Sequence, residues 1–268
     1  MSDPTLKLTY DDLRIRVAEF LGVAYYGAAG NEAAQVPTDA HDLDKVSRLV
    51  NNGYRRFLRD NKRGWNFMTV PLSITFGTGT VGGDNARYYL PDDFYGLLVT
   101  PFTFDSSGPR IAIDPVSEQE LRELQAANDS SGDPVVVAFR AINTTETATG
   151  QRWEAIFYPE PSGTQTVTAT YKRFPAALSS GTHRPVSGFQ HDPAILEACL
   201  AAAELEVGDS AGPHEAAYQR ELKVSLELDA RASHHRSKDY GDKSEDRLGR
   251  RRPFSYYGVD TYNGNSID

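Results

Sequence analysis

Between Asp42 and Asp60 the apolar residues Leu43, Val46, Leu49, Val50, Tyr54, Phe57 and Leu58 recur in steps of three and four. Asp44, Lys45, Arg48, Asn51, Asn52, Arg55, Arg56 and Arg59 fill the positions between them. This spacing predicts a long amphipathic helix with one buried stripe. Thr38 or Asp39 supplies the cap, and Pro37 prevents an earlier start. Gly64 offers a stop, and Trp65 follows as a large apolar anchor. Gly53, in mid-helix, costs up to about 1 kcal/mol relative to alanine. Close approach of another backbone on that side would account for it. The polar face carries five cations and has two readings: a solvated face, or one that meets another subunit through Arg48, Arg55, Arg56 and Arg59.

Upstream, Thr9-Tyr10-Asp11-Asp12 reads as a capping box that opens a helix with Leu13, Val17, Phe20 and Leu21 on one face, ending between Gly22 and Gly27. From Met68 the period changes to two. Val70, Leu72, Ile74 and Phe76 alternate with Pro71, Ser73 and Thr75, which predicts a half-buried strand that Pro71 pushes toward a sheet edge. Further strands are predicted at 87–90, 95–104, 110–113, 134–142, 152–158 and 165–174. Ser117-Glu118-Gln119-Glu120 is a second capping box and starts a helix with Leu121 and Leu124. Asp192-Pro193 opens another, whose stripe is Leu196, Cys199, Leu200, Ala203 and Val207 and whose stop is Gly208. Gly212-Pro213 begins a last long helix to about His235.

The expected fold class is therefore α+β: a helical bundle from the N- and C-terminal parts, an inserted antiparallel β domain, and an extended C-terminal tail. The expected boundaries are 1–66 and 179–236 for the bundle, 67–178 for the β domain and 237–268 for the tail. After Arg236 hydrophobicity collapses into alternating charges. Arg250-Arg251-Arg252 then precede an aperiodic aromatic segment with Phe254, Tyr256, Tyr257 and Tyr262. Alone, such a segment is expected to be disordered. Arginine and aromatic side chains dominate binding energy at interfaces, so these seven residues are the candidate partner-binding set, against the reading of a merely solvated terminus.

Length and charge narrow the class. A chain of 268 residues can bury a sizeable core, and its mean hydropathy of −0.50 and short apolar runs predict no membrane span. Met1-Ser2-Asp3-Pro4 lacks the regions of a signal peptide, and one cysteine, Cys199, rules out an intramolecular disulfide and a cysteine metal cage. A soluble protein of a reducing compartment is the expectation. The net charge of −9 argues against non-specific wrapping of nucleic acid.

Candidate chemistry is thin. Gly77-Thr78-Gly79-Thr80-Val81-Gly82-Gly83 lacks the Lys-Ser or Lys-Thr of a phosphate loop and reads as a hairpin tip. His41, His183 and His191 have no partner at metal-ligand spacing, and adjacent His234-His235 cannot both face one side of a helix. Asp92-Asp93, or Glu118 with Glu120, could supply a glycosidase-like carboxylate pair only if the fold makes them converge. Neither a catalytic residue, a metal nor a cofactor is expected.

Four stretches, in this order, resemble the head-to-tail adaptor proteins of tailed bacteriophages, of the tail tubular protein A type found in short-tailed phages. The first runs from Leu49-Val50-Asn51-Asn52-Gly53-Tyr54 to Gly64-Trp65-Asn66-Phe67. The second is Tyr89-Leu90-Pro91-Asp92-Asp93-Phe94. The third joins Gly132-Asp133-Pro134, Tyr158-Pro159-Glu160-Pro161 and Tyr171-Lys172-Arg173-Phe174-Pro175, and the fourth is the tyrosine-, glycine- and asparagine-rich tail. The resemblance implies a virion protein, assembled in the host cytoplasm, that forms a dodecameric ring. Its tail would dock on the portal protein, a nozzle or stopper protein would bind opposite, and double-stranded DNA would pass through without specific binding. The competing classes are a carboxylate-based virion hydrolase and a β-rich receptor- or glycan-binding module, the latter with exposed aromatics on its strands.

Overall fold

The computed structural model describes residues 6–62, 64–105, 112–128, 130–142, 152–208 and 210–234. The first helix, α1 (Tyr10–Leu21), is closed at its start by the Thr9 capping box and at its end by Gly22 in the left-handed conformation. Helix α2 (Ala40–Asp60) begins two residues earlier than the periodicity indicates. The Asp39 carboxylate accepts from the His41 and Asp42 amides and so caps two otherwise unpaired donors. A 3-10 turn at Asn66–Met68 leads into the strands.

These are β1 (Thr69–Thr75), β2 (Thr80–Val81), β3 (Asp84–Tyr89), β4 (Phe94–Phe104) and β5 (Ala112–Val116), followed by helix α3 (Glu118–Ala127). Strands β6 (Ser131–Gly132), β7 (Val136–Ile142), β8 (Arg152–Tyr158), β9 (Glu160–Pro161) and β10 (Thr166–Arg173) come next. Helices α4 (Asp192–Gly208) and α5 (Pro213–His234) complete the described elements.

The expected helical bundle with an inserted antiparallel β domain is corrected by this structure. An eight-stranded sheet in the order β1-β10-β4-β5-β7-β8-β3-β2, curled into a half-barrel, dominates the molecule. It is not wholly antiparallel, since β5 and β7 run parallel, with α3 as the crossover between them. Nor is the sheet a separate lobe, because the described strands and the helices up to Leu226 fall in one compact unit. The physical reason is that packing continues from helix to strand. Trp65 and Met68 lie in the same core as α1, α2 and α4, and the Lys172 ammonium on β10 donates to the Trp65 carbonyl at 2.6 Å.

Inside the curl, Phe157 is met edge-on by Phe76 at 5.1 Å and Phe102 at 5.4 Å, with Tyr88 at 5.8 Å. Edge-to-face pairs of this kind add to the apolar area they bury. Pro71 lies on β1, an edge strand, where its missing N–H is tolerated. The glycine-rich 77–83 segment leads from β1 into β2 and turns at Gly82-Gly83 into the antiparallel β2–β3 hairpin, and the Gly77 amide donates to the Tyr88 hydroxyl at 3.0 Å.

The helices from the two ends of the chain share one core, which holds Leu13, Val17, Val46, Val50, Tyr54, Phe57, Ile195 and Ala198 among others. At its centre α2 crosses α4 at Gly53. A β-carbon there would sit 2.5 Å from the Cys199 Cα and 2.6 Å from its nitrogen. The alanines of α4 and the glycine of α2 allow this close approach. Helix α5 runs to His234, and its residues from Glu227 onward fall outside the compact unit that ends at Leu226.

Candidate interaction surfaces

The outward face of α2 is the most distinctive polar surface. Arg48, Asn52, Arg55 and Arg59 follow one another at helical spacing and are all exposed. Arg48 pairs with Asp44 one turn earlier at 3.1 Å. Arg55 and Arg59 have no ion-pair or hydrogen-bond partner among the described residues.

Arg56 is placed differently. Its guanidinium grips Glu215 of α5 through two hydrogen bonds of 2.6 Å and lies 4.6 Å from the Tyr218 ring centroid. The Tyr218 hydroxyl in turn donates to Asp60 at 2.5 Å. Hydrogen bonding from Arg56 holds the Glu215 carboxyl below its usual range. Burial, and then the Asp60 carboxylate, push the Tyr218 phenol up. Thus Arg55 and Arg59 have no partner among the described residues, Arg48 pairs within its own helix, and Arg56 fastens α5 to α2 within the chain. Glu204 of α4 reinforces the joint by accepting from the Gly212 and His214 amides at 3.2 and 3.1 Å.

Two polar residues of the helical core do structural work that periodicity does not show. Asn51 pairs with Leu178 as a strand would, accepting from its amide at 2.9 Å and donating to its carbonyl at 3.1 Å. The 174–190 connection is thereby tied to α2. His191 is buried in a box of Phe57, Trp65 and Phe67, with ring centroids 5.4 to 5.9 Å away, and its Nδ1 has no partner.

Burial lowers the pKa of His191, so the folded protein binds that proton later than the unfolded chain does on acidification. Its contribution to stability is complete above the ordinary histidine range and is lost as the pH falls through that range toward the folded value. Asp192 has the opposite sign. Burial, and then Asp12, hold it above its ordinary value, so its charged form costs stability above the ordinary carboxylate range. Thermal melts between pH 7.5 and 5.5 are expected to show a falling midpoint, and His191→Phe should flatten that slope. An equal slope in the variant would refute the assignment.

On the sheet, Glu154 of β8 is fully buried and lies between two arginines. Arg87 of β3 donates to it at 2.8 Å, and Arg140 of β7 through its Nε at 2.7 Å. Arg140 also reaches Glu118 at 3.1 Å, and Arg122 holds the same carboxylate at 2.5 Å. Hydrogen bonds from Arg122 and then Arg140 hold Glu118 below the usual carboxylate range, the reverse of what a general acid needs. Glu120 sits two positions along α3, so the two side chains do not face each other. Asp92 pairs with Arg152 at 2.8 Å, while Asp93 accepts from the Tyr171 hydroxyl at 2.8 Å. Burial and then Asp93 push that phenol up to about 12. Asp92, Asp93 and Glu118 are thus each held in separate internal contacts.

The histidines are dispersed. His41 opens α2, and His183 accepts from the loop amide of Ser180 at 3.3 Å. Among the described residues no group of three or more histidine, cysteine or acidic side chains is placed to hold a metal ion. Cys199 is buried against α2, where burial pushes its thiol up to about 12 and away from nucleophile chemistry. No helix of the described residues is long and apolar enough to cross a membrane. Arg250, Arg251, Arg252, Phe254, Tyr256, Tyr257 and Tyr262 lie outside the described residues.

Sequence reasoning missed the internal contacts of Glu154, Asn51 and Arg56. The only available signal was the presence of charged or amide residues in otherwise apolar strand and helix runs. The arrangement is one of helices and strands fastened by internal ion pairs, with a cationic helix face exposed. Residues 8–239 match the family described as SU10 adaptor protein, and the chain belongs to that family. It is accordingly a phage adaptor-type structural protein. No curated protein matches the chain.

Proposed function

We propose that the protein forms a ring, dodecameric as its adaptor-like motifs suggest, between the portal and the nozzle or stopper of a phage tail. The ring surrounds a channel through which the double-stranded genome leaves. The observation that carries this reading is the exposed row of Arg48, Arg55 and Arg59, the last two without an internal partner among the described residues, in a protein of net charge −9. Cations without an internal partner are available for contact with another subunit, and the acidic balance elsewhere repels DNA phosphates and keeps the passage slippery. The likeness of the sequence motifs to the tail tubular protein A type supports the same place in the virion. The tail from Arg250 onward is the portal-docking segment.

Imaging the purified protein alone and with its portal protein tests this. The expected result is closed rings that cap portal particles. Monomers in both samples, with no density on the portal, would overturn it.

One observation favours a second reading. Tyr89 on β3 and Tyr95 on β4 are exposed, as a glycan-binding strand surface would show. Tyr95 already stacks on Phe174 at 5.3 Å, and Arg152 lies 5.8 Å from the Tyr89 ring, so both rings have internal roles. A glycan array should accordingly give no signal that Tyr95→Ala removes.

A further inference from the structure

Two helices of this chain present exposed charge of opposite sign at separate places. Helix α2 belongs to the helical core that adjoins β1 and β10, and presents Arg48, Arg55 and Arg59 outward. Helix α3 lies on β7 and β8, toward the other end of the strand order, with Leu121 buried against Ala138 and Ile156. Its outward face presents Glu120 and Glu123, one turn apart and both exposed. Glu120 makes no ion pair among the described residues, and Glu123 accepts only from Gln119, at 3.1 Å. The stretch that carries the sheet and α3 is acidic as a whole: residues 69–173 hold thirteen acidic and seven basic side chains.

The orientation of α3 is also specified. Its first turn is held by the Glu118–Arg140 pair, and Arg140 is anchored on the buried Glu154, which Arg87 grips from the other side. Its far end is held by the Tyr158 hydroxyl, which donates to the Asn128 carbonyl at 2.8 Å. Burying a carboxylate contributes little net stability, and its best-attested use is to specify one arrangement. Here the arrangement fixes which face of α3 looks outward.

We infer that the cationic face of α2 in one copy docks on the acidic outer face of α3 in the next. This rests on the ring reading above and names the two surfaces that would build it. A contact of α2 with itself across a two-fold axis would oppose arginine to arginine. A head-to-tail contact pairs opposite charges, leaves each copy with one used face of each sign, and closes into a ring when the rotation allows. The second copy is favoured over DNA as the occupant because the chain itself carries, on α3, an exposed acidic face whose charge complements the arginines of α2.

Reversing the charges tests the contact. One variant carries Arg55→Glu and Arg59→Glu, the other Glu120→Arg and Glu123→Arg. All four positions are exposed, so melting curves should match the parent and show that both variants fold. Each variant alone should assemble at least tenfold less than the parent by analytical ultracentrifugation. An equal mixture should restore rings, because in an alternating ring every contact again joins opposite charges.

If the parent forms rings and reversal on α3 leaves them intact, this inference falls while the ring reading stands. If reversal on α2 spares assembly and instead weakens retention of a DNA duplex, the arginines face nucleic acid and the inference also falls. A parent that never assembles, with or without portal, overturns both.

Discussion

Replacing Gly53 by alanine is expected to destabilise the protein, although alanine is the better helix former. In an exposed helix interior the change would gain about 1 kcal/mol. Here the new β-carbon would lie 2.5 Å from the Cys199 Cα and 2.8 Å from the Ala198 carbonyl carbon. Those are backbone atoms of a packed helix, so no side chain can swing aside and α2 and α4 must separate. Overpacking of this kind costs about 1–3 kcal/mol, and the contact with backbone places Gly53→Ala at the upper end. At roughly 2–4 °C per kcal/mol for a unit of this size, the thermal midpoint should fall by about 6–12 °C. Gly53→Val should fall further, because its branched side chain widens the same gap. A midpoint at or above the parent's for Gly53→Ala would mean that the helices part without cost and that the crossing is not tight.

Deleting the chain from Arg250 onward is expected to have the opposite profile, with little change in stability and a complete loss of attachment to the portal. Ordering a flexible segment costs roughly 1–2 kcal/mol per residue, so a docking tail needs a large compensating surface. Phe254, Tyr256, Tyr257 and Tyr262 can supply it at about 25 cal/mol per Å² of apolar area buried. Arg250, Arg251 and Arg252 would pair with carboxylates of the portal and fix register more than they add affinity. Repetition around a ring converts modest single contacts into firm attachment. Co-sedimentation of full-length and truncated protein with portal particles, beside melts of both, checks this. Equal attachment by the truncated protein, or a midpoint several degrees lower, would refute the docking role.

Local elements were largely legible in the sequence. The 3.6-residue period gave α2 its inward stripe, and the Thr9, Asp39 and Ser117 caps sit where the polar residues before each apolar run place them. The period-two runs correspond to β1, β3, β4, β7, β8 and β10 within a few residues. The glycine at position 53 correctly signalled a close backbone. Each is a short-range property, decided by backbone sterics, capping and the side a residue faces.

The long-range arrangement was not legible. The sheet became the dominant element instead of an inserted domain, because strands distant in sequence, such as β1 with β10 and β3 with β8, pair and curl around one aromatic core. Periodicity carries no information on which strands pair. The parallel β5–β7 pair was equally hidden, since a strand's pattern does not record its neighbour's direction.

The candidate surface divided in the same way. That α2 has a cationic face followed from spacing alone. That Arg56 is spent on Glu215 and Tyr218 while Arg55 and Arg59 stay open depended on where α5 comes to rest. Sequence therefore determined the elements, their buried stripes and the sign of the exposed helix face, because those depend on neighbours one to four residues away. Strand order, the buried ion pairs around Glu154 and the choice of which arginines remain free were decided only by tertiary structure, because each depends on residues brought together from tens to more than a hundred positions apart.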